Sequence, residues 1–369
     1  MRRRRLELIL DLTSSCNIRC IMCYFSTTDQ LRFKPYHLEP GARGNMDLEV
    51  FQHIASELFR STHTIGFGCS AEPLLHPDLP EILRACRHHR IPKVWLQTNL
   101  LALSEAKARA IVEHGVHTVA VSIDGTTRET YEGIRVGASW DRLHSRLDVL
   151  RRAAAAGSRP GPDLRVTFAW MRSNREELRS LPAFAASLGA REIDVRFVVP
   201  TVGVDNRDEL LNDIEPKELM VELWTVARDA TSRGIRLSAY PAMITEPDAH
   251  RSLIEKITHK MWLLKSGIEG PASWRRSFLE RLNGCSFPGR MFLIRPNGAV
   301  LPCPFWEEAP IALVPRDGQR EIAASDRLAK ISKGLRTGCP VGSCRVCDAR
   351  KDALFRPLTW IGSSPGDTR

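Results

Sequence analysis

The sequence predicts an α/β fold in which parallel strands are joined by crossover helices, with a smaller cysteine-bearing part toward the C-terminus. Three observations carry this. Strand-like and helix-like patterns alternate six times between Leu6 and Phe197, which is the signature of parallel βα units. The chain has 369 residues, 43% of them hydrophobic and 26% charged, enough for one large core and a smaller one. Its ten cysteines fall mostly in two groups, one directly behind the first strand and one beyond residue 284.

Taken in order, the apolar, β-rich runs are Leu6 to Leu10, Thr64 to Phe67, Val94 to Gln97, Val119 to Ile123, Leu164 to Trp170 and Ile193 to Val199. Each is short and rich in branched or aromatic residues. Helical patterns lie between them. Asp47 opens one, with Phe51, Ile54, Ala55 and Leu58 at helical spacing, and Ser104 caps another that Gly115 ends. From Glu215 to Gly234 a helix with Leu219, Val221, Leu223, Val226 and Ala227 leads into Ile235-Arg236-Leu237, closing this region. The expected division is a core over 1–244, a helical connector over 245–284 with Trp262 and Trp274 as packing residues, a cysteine-bearing unit over 285–350, and a tail over 351–369.

No apolar run approaches the length of a membrane span. Arg2 to Arg5 follow Met1, but Glu7 and Asp11 come soon after and no small-residue cleavage site appears, so a signal peptide is not expected. Cysteines at metal-like spacings in a chain of this size point to a reducing compartment and a cytoplasmic protein. The net charge of +10 is spread along the chain apart from the arginine quartet. Nucleic acid is therefore not the expected partner, and an anionic small substrate uses the same charge equally well.

Cys16, Cys20 and Cys23 stand at CxxxCxxC spacing. Three such thiols can ligate three irons of a cubane 4Fe-4S cluster, which leaves the fourth iron open to a chelating group. Closed zinc sites usually take four ligands in two close pairs, which a lone triplet without a nearby histidine does not offer. The thiols also follow a strand, beyond whose C-terminal end βα barrels keep their chemistry. The triplet resembles the signature of the radical SAM superfamily. That resemblance implies a partial (β/α)6 barrel of the TIM type, S-adenosylmethionine (SAM) chelated to the open iron, and its reductive cleavage to a 5'-deoxyadenosyl radical.

Further segments extend the resemblance. Gly66-Phe67-Gly68-Cys69-Ser70-Ala71-Glu72-Pro73 resembles the family's Gly-Gly-Glu-Pro motif, with Ser70 and Ala71 in the glycine places; it implies that Glu72 and Ser70 bind the amino group of the cofactor. Gln97-Thr98-Asn99 resembles Thr-Asn-Gly, with Leu100 in the glycine position, and makes Asn99 a cofactor residue. Val121-Ser122-Ile123-Asp124-Gly125 resembles Ser-x-Asp-Gly. Ser122 and Asp124 share a strand face and both can bond ribose hydroxyls, although Ser and Asp before Gly also serve as plain turn chemistry. Arg135 matches a family arginine that pairs with the cofactor's carboxylate, and equally fits a solvated helix arginine. Met22 stands where the family has an aromatic residue beside the adenine.

Cys285 and Cys303 are separated by seventeen residues, within which Met291 to Ile294 and Ala299 to Leu301 flank Asn297-Gly298, the strongest short hairpin signal. A hairpin brings its ends together, and Cys344 and Cys347 offer two more thiols. The arrangement resembles the twitch domain, a shortened SPASM domain, and implies an auxiliary 4Fe-4S cluster on Cys285, Cys303, Cys344 and Cys347. A four-cysteine zinc site has the same ligand set. Cys339 stays open as a replacement ligand, an inert thiol or a catalytic hydrogen-atom donor, while Cys69 and Cys86 read as buried small residues.

The resemblance further implies an external reductant such as flavodoxin or ferredoxin, and hydrogen abstraction leading to dehydrogenation, oxidative decarboxylation or epimerisation. The expected substrate is a small hydroxylated metabolite: a sugar, an aminocyclitol or a nucleoside. Peptide-modifying relatives recognise a leader through a module of several tens of residues, whereas fifteen residues precede Cys16 and 22 follow Cys347. A peptide maturase and a non-catalytic metal-dependent RNA-binding protein are the alternatives.

Overall fold

Branched and aromatic residues alternate with smaller or polar ones through most of the six expected runs, and an extended backbone is what gathers the first set on one face. The computed structural model describes residues 6–23, 44–198, 206–240, 285, 287–306, 308–337 and 340–345. Its strands are β1 (Leu6–Leu10), β2 (Arg19–Cys20), β3 (Thr62–Phe67), β4 (Lys93–Thr98), β5 (Thr118–Ser122), β6 (Arg135–Val136), β7 (Asp163–Trp170), β8 (Glu192–Phe197), β9 (Arg236–Tyr240), β10 (Met291–Ile294), β11 (Ala299–Leu301) and β12 (Ala312–Leu313). The expected 245–284 connector and 351–369 tail lie outside the described residues.

One sheet runs in the order β12-β11-β10-β1-β3-β4-β5-β7-β8-β9, and β2 pairs with β6 apart from it. Neighbours from β10 through β9 are parallel. This is the parallel α/β architecture that the alternation predicts. Two strands extend it. β9 adds a seventh parallel strand after β8, and the C-terminal hairpin docks its β10 on β1, with Glu7 to Leu10 opposite Met291 to Ile294. The hairpin around Asn297-Gly298 thus continues the barrel sheet. Gly298 has φ +81, and a Cβ there would lie 1.9 Å from the Val314 carbonyl oxygen, so glycine is required at this turn.

The two faces of the sheet differ sharply. One carries Leu8, Leu10, Ile65, Phe67, Val119, Val121, Val166, Phe168, Trp170, Ile193 and Val195, all fully buried under the crossover helices; each contributes roughly 1.5–3 kcal/mol of burial. The helices begin where the sequence offers caps. Asp47, Ser104, Thr127 and Ser139 accept from the backbone N–H of Glu49, Lys107, Thr130 and Arg142, each worth about 1 kcal/mol. In the helix Pro216–Ser232, Leu219, Leu223, Val226 and Ala227 are buried, but Val221 points to solvent and is exposed. Among the described residues no helix is long and apolar enough to cross a membrane.

The opposite face lines the barrel lumen. There Gly66 on β3 lies under the Trp95 indole of β4, and a Cβ at Gly66 would come within 2.0 Å of that ring. Gly66→Ala is expected to destabilise the chain by about 1–3 kcal/mol through overpacking, and adding Trp95→Leu should recover most of the loss. Denaturant unfolding midpoints of the single and double variants check this.

Candidate active site

The cysteine loop leaves β1 and is clamped at both ends. On its first limb Met46 N–H donates to Leu12 O (2.7 Å), Ser14 N–H to Gly44 O (2.9 Å), and Gly44 N–H to Ser14 Oγ (2.8 Å). On its second limb β2 pairs antiparallel with β6, Cys20 opposite Arg135, and Ile21 N–H donates to Ile134 O at 3.0 Å. Cys23 N–H closes a turn on Cys20 O at 3.1 Å. Cys16 is exposed, Cys20 buried and Cys23 half-buried. The three thiols act on one another electrostatically, yet among the described residues no three His, Cys, Asp or Glu side chains close on one metal-sized centre.

Burial pushes the Cys20 thiol up to about 12, with Arg135 opposing and Asp124 adding to the rise; burial also raises Cys16, with Glu72 adding to it. Such sulfurs remain protonated unless a cation replaces the proton. Two N–H donors face them: Asn99 Nδ2 lies 3.8 Å from Cys16 Sγ, and Arg135 Nη1 lies 3.7 Å from Cys20 Sγ. Three soft sulfurs on one loop, with N–H donors on two of them, are a donor set that fits an iron–sulfur cluster.

Glu72 binds this loop to the sheet. Its backbone N–H donates to Ser15 O at 3.0 Å. Its buried carboxylate accepts from Thr98 Oγ1 (2.6 Å), Asn99 N–H (2.7 Å) and Leu74 N–H (3.0 Å). Burial raises this carboxyl above its ordinary value against those three donors. A carboxylate has about four lone-pair sites, so the protein itself takes most of Glu72's capacity. Asn99, fixed by Glu72, donates to Asn17 Oδ1 (2.9 Å) and accepts from Leu101 N–H (3.0 Å). Leu100 takes φ +69 without being glycine; its N–H bond to Thr98 Oγ1 (2.8 Å) and complete burial hold it there.

Asp11, at the end of β1, is a site residue that sequence reading missed. Its buried Oδ1 accepts from the N–H groups of Cys69 and Ser70 at 3.0 and 3.1 Å, which fixes the segment leading to Glu72. An acid directly after an apolar strand was the available signal. Cys69, expected to be buried, is exposed as a residue, while its crowded sulfur is pushed up to about 12, by burial first and then by the Asp11 carboxylate. Cys86 is buried as expected.

Ser122 lies on the lumen face, where its Oγ accepts from Gln97 Nε2 at 2.6 Å. Gln97 Oε1 in turn accepts from Thr167 Oγ1 at 3.4 Å. Asp124 is held by partners within the protein. Its Oδ1 accepts from Ala169 N–H at 2.7 Å, and its Oδ2 lies 2.6 Å from Arg135 Nη2. The arginine is buried as well, which excludes the solvated reading. Burial works against its charge, but Asp124 foremost, then Cys20 and Tyr131, together outweigh that and raise Arg135, so it is a fixed cation.

At the second cysteine group, Cys303 is buried beyond β11, and Cys285 and Cys344 are half-buried against the core. Phe287 N–H reaches Cys285 Sγ at 3.5 Å. Cys339 and Cys347 lie outside the described residues.

Comparison with known proteins bears on this geometry. Residues 10–171 match the family model of the radical SAM superfamily. An AdoMet-dependent heme synthase of Methanosarcina barkeri is 27% identical over 201 residues, 54% of this chain and 52% of that protein. A probable GTP 3',8-cyclase of Methanococcus maripaludis is 27% identical over 189 residues, 51% of this chain and 58% of that protein. The chain thus spans about half the length of the curated relatives it matches. Among solved structures, SuiB of Streptococcus suis bound to precursor peptide SuiA superposes with a TM-score of 0.63 at 15% identity, over 90% of this chain and 66% of that one. Native anSMEcpe with bound AdoMet gives 0.57 at 14% identity, over 94% and 88%. At such identities the likeness is one of fold.

Glu72→Gln is expected to cost about 1–3 kcal/mol, because an amide NH2 then faces an N–H or O–H donor in a buried place. The midpoint of denaturant unfolding measures it.

Proposed function

We propose, from the match of residues 10–171 to the radical SAM superfamily model, that this chain is an enzyme of that superfamily which generates a 5'-deoxyadenosyl radical that takes hydrogen from a small hydroxylated metabolite held in the barrel lumen. When bound, the 4Fe-4S cluster supplies one electron to the sulfonium of SAM, whose carbon–sulfur bond breaks to give methionine and that radical. Cys16, Cys20 and Cys23 would hold three of its irons. The electron comes from an external reductant such as flavodoxin or ferredoxin.

The chain's own groups bind and orient. Glu72 braces the Thr98–Asn99 turn against the cysteine loop, and its remaining lone pair accepts from the cofactor's ammonium beside Ser70. Ser122 accepts from Gln97 and so keeps its own hydroxyl hydrogen for a ribose oxygen. Asn99 orients Cys16. Cys285, Cys303, Cys344 and Cys347 would hold an auxiliary 4Fe-4S cluster, with Cys339 as reserve ligand or hydrogen-atom donor. Dehydrogenation or oxidative decarboxylation would leave the substrate radical's electron with the auxiliary cluster, whereas epimerisation would return a hydrogen atom to the carbon that lost one, from a thiol such as Cys339.

The polarity of the lumen carries the substrate reading. Gln97, Ser122, Thr167, Asp194, Arg196 and Ser238 alternate with the apolar residues and share one face of β4, β5, β7, β8 and β9. Arg196 donates to Asp194 Oδ2 at 2.7 and 2.9 Å, and Ser238 Oγ reaches Asp194 Oδ1 at 3.3 Å. Below them Glu192 accepts from Arg165 Nε (2.6 Å) and pairs with Arg236. Hydroxyl, amide and charged groups in a row suit a sugar, aminocyclitol or nucleoside, which offers matching donors and acceptors on every side. One relative is named for chemistry on GTP, a nucleotide. Incubation with SAM, reductant and deuterated candidates should move deuterium from a sugar or cyclitol carbon into 5'-deoxyadenosine. Transfer solely from a peptide Cα or Cβ overturns the substrate class in favour of a peptide maturase.

A further inference from the structure

The ion pair between Asp124 and Arg135 stands directly behind one of the three thiols. β6 sets Arg135 opposite Cys20, Nη1 of the guanidinium lies 3.7 Å from Cys20 Sγ, and Nη2 lies 2.6 Å from Asp124 Oδ2. Both side chains are withdrawn from water, at 8% and 1% exposure. A fixed cation therefore meets the sulfur, and its counter-anion sits one step further away. Neither group is spare for holding the fold by ordinary means. Apolar residues of like volume replace a buried ion pair at little or no cost in stability, so the charges call for a reason beyond packing. Asp124 is itself held in place, with Oδ1 on Ala169 N–H and its backbone oxygen accepting from Asn174 Nδ2 at 2.9 Å.

The potential of a thiolate-ligated cluster depends on nearby charge and on hydrogen bonds to its sulfurs. A cation and an N–H donor at sulfur favour the reduced form, which carries one more negative charge. A carboxylate behind the cation takes back part of that effect. We infer that the Arg135–Asp124 pair sets the reduction potential of the cluster on Cys16, Cys20 and Cys23, acting through the Cys20 sulfur as a positioning device rather than as a cofactor ligand. This rests on the reading that these three thiols hold the cluster. The two charges must then act with opposite signs. Losing the anion leaves Arg135 uncompensated and makes reduction easier; losing the cation makes it harder.

The test is redox titration of the full chain with its iron–sulfur centres reconstituted, followed by electron paramagnetic resonance on the signal that changes when SAM is added. Asp124→Asn should raise the midpoint, and Arg135→Gln should lower it, each by at least a tenfold change in the oxidised-to-reduced ratio at fixed potential, which is 59 mV for one electron. Arg135→Lys keeps the charge but loses the fork, so its midpoint should fall between those of wild type and Arg135→Gln. If Arg135→Gln does not fold, Asp124→Asn and Arg135→Lys still carry the opposite signs. Midpoints that stay put, or that move the same way in both directions of charge removal, overturn the inference while leaving the proposed function standing. A wild-type protein without any SAM-responsive iron signal overturns both.

Discussion

A single buried carboxylate holds the proposed active site to its scaffold. Removing Glu72 from water costs several kcal/mol unless donors replace the lost hydration, and here two backbone N–H groups and one hydroxyl do so. Because those donors come from two separate segments, the segment after β3 and the end of β4 cannot move independently. Asn99 transmits the constraint by reaching Asn17 and Cys16, and the Glu72 N–H on Ser15 O closes the circuit. The loop that must present three sulfurs is thereby tied to the sheet at its first limb, while the β2–β6 pair ties its second limb.

The sheet makes this possible by keeping its two faces apart. One face spends every second residue on apolar contact with the crossover helices, so most of the apolar burial lies outside the lumen. The other face is free to carry Gln97, Ser122, Thr167, Asp194 and Arg196, groups that a packed core excludes. Ends of strands meet there too. Asp11, Ser70, Asn99, Ser122 and Asp124 all sit at or just past the C-terminal ends of β1, β3, β4 and β5, where parallel barrels gather their chemistry.

Much of this was legible in the sequence because it is local. The period-two runs, the Asp47 and Ser104 caps, the Asn297-Gly298 turn and the cysteine triplet each announce themselves within a few residues. What stayed hidden depends on partners far along the chain. Nothing in Met291 to Ile294 says that its neighbour is β1, since strand pairing across hundreds of residues leaves no local mark. Asp124 and Arg135 were visible as residue types, but that they form an ion pair with each other emerges only from the return of the chain through β6. The exposure of Cys69 stayed hidden for a related reason, because a small residue does not declare which side of a loop faces water.

The most direct measurement is the yield of 5'-deoxyadenosine from SAM under strong reductant, with iron counted on the same sample, after Cys16, Cys20 and Cys23 are replaced together by Ala. The account predicts that cleavage disappears while about four iron atoms, one cluster's worth, remain in the C-terminal site. Cleavage that survives in the triple variant contradicts it.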